Sequence, residues 1–149
     1  MSAAVRTANP GTDQMIIKHE LAIEALQAGI KRAKELDQRS CLSIVDAGGH
    51  LVGFIRVEDA AFGTIEVATN KAYTAAALRK STDTWMAITQ PGQELYGLER
   101  SCARPFVVFG GGLPVTINGE VVGGVGVSGG PEDADVQIAQ AMVDVLQAQ

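Results

Sequence analysis

Glu66, Asn70 and Thr74 recur at spacings of four, and Lys71 stands three residues before Thr74. On a helix Glu66, Asn70 and Thr74 share one face, with Lys71 beside Thr74. They interrupt a segment otherwise built from small and apolar residues, TIEVATNKAYTAAALR, and they bring together groups that can hold a small anion and move a proton. Farther along, FGGGLP at Phe109 to Pro114 offers consecutive backbone N–H groups, with Gly110, Gly111 and Gly112 leaving a nest open for a carboxylate or enolate oxygen. Lys71 or Arg56 would then be the charge partner, and Glu66, Asp46 or His50 the acid or base. This constellation describes a cofactor-free lyase or isomerase acting on a small carboxylated or aromatic catabolite. The plainer reading is that Lys71 and Glu66 line a solvated helix face and that Gly110 to Gly112 turn the chain.

Two better-known patterns overlap near the C-terminus. Gly124-x-Gly126-x-x-Gly129 matches the dinucleotide fingerprint, and Gly126-x-Ser128-x-Gly130 matches the serine nucleophile elbow. The first requires a following helix, a second strand and a ribose-binding acid about 20 positions on, and too little sequence follows Gly129 to supply them. The second requires a His after the Ser in the hydrolase fold, whereas His19 and His50 both precede Ser128. Phosphate capture at the helix start is disfavoured as well, since Glu132, Asp133 and Asp135 already put negative charge there. These glycines therefore read as places where a strand backbone meets a helix closely.

The elements that must position these groups follow from period and turn chemistry. Ile23, Leu26, Ile30 and Ala33 mark one face of a helix running from about Met15 to Leu36. SCLSIVD, AGGH and LVGFIRV form a hairpin, and alternation puts His50, Val52, Phe54 and Arg56 on one face of its second strand. Thr64 to Arg79 is an Ala-rich helix, and a second helical stretch is expected at STDTWMAI, capped by Ser81 or Thr82. A long loop carrying Tyr96 leads into RPFVVFGGGLPVTINGEVVGGVGV, read as three strands, the last two joined at Asn118-Gly119. A final helix follows Pro131. The expectation is one α+β domain with a mostly antiparallel, five-stranded sheet over residues 15–149, behind a flexible arm at 1–14. In the last helix Val136, Ala139, Val143 and Leu146 lie beside Ile138, Met142 and Val145, a face wide enough to imply contact with another subunit.

Composition narrows the partners. The 149 residues are 46% hydrophobic and 19% charged with a net charge of −5, which suits a packed core and disfavours nucleic acid. The N-terminus lacks a basic-then-apolar signal and no apolar run reaches membrane-spanning length, so a cytoplasmic protein without membrane contact is expected. Cys41 and Cys102 stand alone, as reduced thiols rather than a metal or redox pair.

Together, SIVDAGGHLVGFIRV, GTIEVATNKAYTAAAL, PGQELYGL and FGGGLPVTINGEVVGGVGVSGG closely resemble the GlcG/HbpS family, which includes the C-terminal domain of PduO-type corrinoid adenosyltransferases. The resemblance implies a profilin-like fold, assembly into dimers or larger homo-oligomers, a place in catabolic operons, and haem or a related tetrapyrrole as ligand. Haem needs an axial ligand, and His50 or His19 is then the candidate for its iron. Its propionates, like any anionic ligand, need a positive centre, for which Lys71 or Arg56 is expected. Thr74, Tyr96 and the glycine loop complete the expected ligand-binding set, and no further metal site is expected.

Overall fold

Ala68, Ala72 and Ala76 recur every fourth residue along α2 (Thr64–Leu78), and all three are buried. They lie over strand β4 (Glu120–Ser128), where a Cβ at Gly126 would strike the Ala68 carbonyl oxygen and one at Gly124 the Ala72 carbonyl oxygen. Backbone meets backbone at these points. The overlapping glycine patterns therefore serve packing, and the partner is the Ala-rich helix rather than the helix that follows the strand.

The computed structural model describes residues 16–148; the expected N-terminal arm lies outside the described residues. Strands β1 (Cys41–Asp46), β2 (Leu51–Arg56), β3 (Gly112–Ile117) and β4 form one antiparallel sheet in the order β2-β1-β4-β3. α2 covers one face. Helices α1 (His19–Glu35) and α3 (Glu132–Gln147) cover the other, where Gly29 of α1 faces Leu42 of β1 and Met142 of α3. The main core joins Leu42, Ile44, Val125, Val127, Ile138, Met142 and Leu146. Burying side chains of this size contributes about 1.5–3 kcal/mol each before chain entropy is counted.

The α+β domain and antiparallel hairpins are as expected, but the sheet has four strands rather than five. Residues 104–108 do not join it. Pro105 has no N–H to donate, the Val107 N–H bonds to the Thr74 hydroxyl at 2.9 Å, and the Phe106 ring stacks on Tyr73 with centroids 6.2 Å apart. The Phe106 N–H bonds to the Glu99 carbonyl, so the segment's backbone and its aromatic ring are engaged by α2 and the preceding loop. Likewise STDTWMAI forms two short 3₁₀ turns, Thr82–Trp85 and Ala87–Thr89, in place of an α-helix.

Two helix faces also differ from expectation. α1 begins at His19 and buries Ala22, Ala25, Gly29 and Ala33, while Ile23 is exposed; the small residues, not the large ones, let α1 approach the sheet. Most of the wide apolar face of α3 is covered within the chain, because α1 takes one side of it and the sheet the other, while Val136 lies half-buried outside the core. A register shift between Ile44 and Val45 breaks the alternation of β2. Consequently Val52 packs with the main core, whereas Phe54 packs with Cys41, Ala60 and Ala68.

Candidate functional site

Two carboxylate-centred clusters account for most of the expected site residues. The first is internal. Lys71 is 1% exposed, and its Nζ donates to the Val127 carbonyl at 2.8 Å and to Asp135 Oδ2 at 3.2 Å. Asp135 is buried as well, and its other oxygen accepts the Gly130 N–H at 3.1 Å. Burial pushes the Lys71 ammonium below its ordinary value, against the pull of Asp135 and Glu132, and pushes the Asp135 carboxyl up against the pull of Lys71 and the Gly129 and Gly130 N–H groups. Lys71 therefore lines no solvated face; it ties α2 to the end of β4 and the first turn of α3.

The glycine loop closes over this pair. Gly111 has φ +121°, and a Cβ there would press on Lys71 Nζ and the Val127 carbonyl; Gly110 abuts Glu132, and Gly112 abuts the Lys71 backbone. The Gly112 N–H is already bonded to Thr82 Oγ1 at 3.0 Å, and the Phe109 ring sits 5.1 Å from Lys71 Nζ. Instead of an open nest, the loop is a lid over a buried ammonium. Thr74 is internal too, its hydroxyl donating to the Asn70 carbonyl while it accepts from Val107.

The second cluster faces solvent at the β1–β2 turn. Asp46 Oδ1 accepts the N–H groups of Gly48 and His50, both at 2.9 Å, and lies 3.2 Å from His50 Nδ1. Partial burial would raise the Asp46 carboxyl, but these donors outweigh it and hold it below its ordinary value. The Nδ1–H tautomer of His50 donates to this carboxylate and leaves Nε2, on an imidazole 82% exposed, with the free lone pair. Gly49, with φ +82°, packs its backbone on the Tyr73 ring, leaving no room for a Cβ. Across that ring lies the guanidinium of Arg104, 3.8 Å from its centroid, whose Nε donates to Asn70 Oδ1 at 3.3 Å. Gly49, the residue before His50, and Arg104 thus border one aromatic ring, and among the described residues Arg104 has no carboxylate partner.

The remaining expected residues are dispersed. His19 is exposed on α1 beside Glu20, 3.1 Å away; Arg56 and Glu66 are exposed; Tyr96 lies in the loop under Arg100. Lys71, Glu66 and Asp46 make no contact with one another. Asp135, Arg104 and Tyr73 were not anticipated. A signal for Asp135 did exist, since it precedes Ile138, Ala139 and Met142 by three, four and seven residues and so falls on the buried stripe of α3.

The family model of the haem degrading protein HbpS-like family matches residues 17–144. The chain belongs to the HbpS-like family. It is 42% identical over 118 residues to an uncharacterized 15.0 kDa protein of the dhaT-dhaS intergenic region of Citrobacter freundii, covering 79% of this chain and 83% of that one. It is 35% identical to the corrinoid adenosyltransferase PduO of the same organism over 97% of its own length but only 43% of the larger protein, and 29% identical to GlcG of Escherichia coli over 77% and 83% of the two chains. Among solved structures, Klebsiella pneumoniae ORFY superposes with a TM-score of 0.87 at 32% identity, over 100% of this chain and 99% of that one. The PduOC:heme complex superposes with a TM-score of 0.83 at 35% identity, over 87% and 94%.

Proposed function

We propose that this HbpS-like chain binds haem or a related tetrapyrrole at its surface, with His50 as the axial ligand. The observation that carries this reading is the Asp46–His50 pair, in a chain that resembles a haem-bound relative along most of its length. A metal-binding imidazole is ordinarily oriented by a carboxylate or carbonyl on its other nitrogen, which sets the tautomer and raises its basicity. Asp46 stands in that relation to Nδ1, and Nε2 is open. Arg104, held flat against Tyr73, is the cation for a propionate; it takes the part that Lys71, being internal and paired, does not. Exposed Leu51, next to His50, offers apolar surface for the macrocycle. Bound haem would bring an iron centre with redox and ligand-exchange chemistry, while the protein's own part is to bind the group, orient the imidazole and pair the carboxylate.

The four-stranded sheet with helices on both faces suits the profilin-like arrangement that the resemblance implies. No helix among the described residues is long and apolar enough to cross a membrane. No observation favours the lyase or isomerase alternative. Its proposed ammonium is buried in an ion pair, and its acid and base candidates lie elsewhere.

Haemin titration followed in the Soret region tests the assignment. Wild-type protein should bind saturably, His50→Ala should lose the ligated spectrum, and His19→Ala should retain it. Loss with His19→Ala instead would move the ligand to α1, and the absence of saturable binding would overturn the haem reading.

A further inference from the structure

β4 runs farther than the helix that covers it. Gly124 abuts Ala72 and Ala76 of α2, yet the strand begins earlier, at Glu120, while α2 ends at Leu78. Just past the helix, Arg79 takes φ +60° and turns the chain away. The step leaves a cavity of about 610 Å³, bounded by Ala76 and Arg79, by Thr116, Glu120 and Val121 of the β3–β4 hairpin, and by Ala47 of the β1–β2 turn. Pockets for small molecules commonly span about 300–1,000 Å³. Two opposite charges line this one without meeting. Arg79 and Glu120 form no ion pair with each other, and neither side chain bonds to any described residue. The Thr116 hydroxyl has no described partner either, although the Thr116 N–H is taken by Gln147. A left-handed residue after a helix is ordinarily Gly or Asn, so what Arg79 adds to the turn is a guanidinium at the cavity rim.

We propose that this cavity binds a short peptide with both termini free, a di- or tripeptide of small residues. Arg79 takes the carboxylate, for which a guanidinium offers two parallel N–H donors, and Glu120 takes the ammonium. The Thr116 hydroxyl, able to donate or accept, serves the peptide group between them. A ligand with one charge would leave the other wall without a partner. A single amino acid would leave much of the volume empty, whereas Ala47 and Ala76 leave room for small side chains and Val121 gives them apolar surface. Both charged residues are exposed, so each pair contributes more to selection of the ligand than to tightness. The inference does not rest on the haem reading, since neither Arg79 nor Glu120 belongs to the Asp46–His50 cluster.

Titration with di- and tri-L-alanine, with their N-acetyl forms and with their C-terminal amides, followed by the backbone amide resonances, tests the assignment. The wild-type protein should bind a free peptide saturably, with shifts centred on Ala47, Ala76, Thr116 and Val121. Each capped form should bind roughly 10–100-fold more weakly, having lost one charge-assisted contact. Arg79→Asn, whose new side chain tolerates the left-handed backbone, should bind the acid and the amide equally while still rejecting the N-acetyl form. Glu120→Gln should do the reverse, binding the amine and the N-acetyl form equally while still rejecting the amide. The absence of saturable binding of either free peptide overturns the proposal. So do capped forms that bind the wild-type protein as well as the free peptides, shifts that lie elsewhere, or variants that keep the wild-type discrimination.

Discussion

Asp46 and Asp135 have the same bonding pattern in opposite surroundings. Each carboxylate accepts backbone N–H groups from a glycine-containing turn and faces one basic side chain, His50 or Lys71. Asp46 lies at the surface, where the pair leaves one imidazole nitrogen open. Asp135 lies inside, where the pair satisfies an ammonium that could not otherwise be buried. The donor–acceptor list therefore does not separate a binding group from a fold-holding one; solvent access to the basic partner does.

The largest expected effect breaks the internal member. Lys71→Met strands the Asp135 carboxylate and should destabilise the protein by about 3–5 kcal/mol, lowering Tm by roughly 6–20 °C in thermal melts. Lys71→Met/Asp135→Leu should recover most of that loss, because removing both charges removes the stranded one. If the single variant melts like wild type, the pair does not hold the fold. Next in size is Gly126→Ala, where the new methyl meets the Ala68 carbonyl. Overpacking of this kind should cost about 1–3 kcal/mol in urea unfolding, against less than about 0.5 kcal/mol for Gly63→Ala, where nothing lies within 4 Å.

The surface member should respond in affinity more than in stability. Asp46→Asn should weaken haemin binding roughly 10–100-fold by freeing the imidazole to change tautomer and orientation, while unfolding shifts by less than about 1 kcal/mol. Equal affinity for the two proteins would show that Asp46 does not orient the ligand. The smallest effect concerns pH. The folded-state value of Asp46 lies below the ordinary 3.8, so its share of stability is complete above about pH 3.8 and is lost as pH falls through the folded value. Asp135, raised by burial, acts with opposite sign: between 3.8 and its raised value, increasing pH lowers stability. Acid unfolding of Asp46→Asn should consequently be less steep below pH 3.8 than that of wild type.

Local chemistry made much of the fold legible in the sequence. The AGGH and Asn-Gly turns identified both hairpins, and unbroken Ala-rich periodicity identified α2. The segment from Arg104 to Val108 misled because β-branched and aromatic residues suit a strand equally well and a loop clamped by helix side chains. The site was less legible. Asp46 and His50 stood among the acid or base candidates but not as a pair, although their spacing of four across the AGGH turn is local information. Lys71 was singled out as a polar interruption of an apolar helix, but its partner lies 64 residues away, and nothing in its own segment tells a solvated ammonium from a buried one. Arg104 is not legible from its own segment, because its setting depends on Tyr73 and Asn70, which only the fold brings beside it.

The order β2-β1-β4-β3 also governs how the protein is made. β1 can pair with β2 as soon as both have left the ribosome, yet its other neighbour is β4, far later in the sequence, as the pairing of Cys41 with Ser128 shows. Until β4 arrives, the first hairpin keeps its inner rim unpaired, and α2 has no glycine groove in which to seat its alanines. Closure of the sheet must await synthesis of β4, and until then the inner rim of the first hairpin is exposed to non-native pairing.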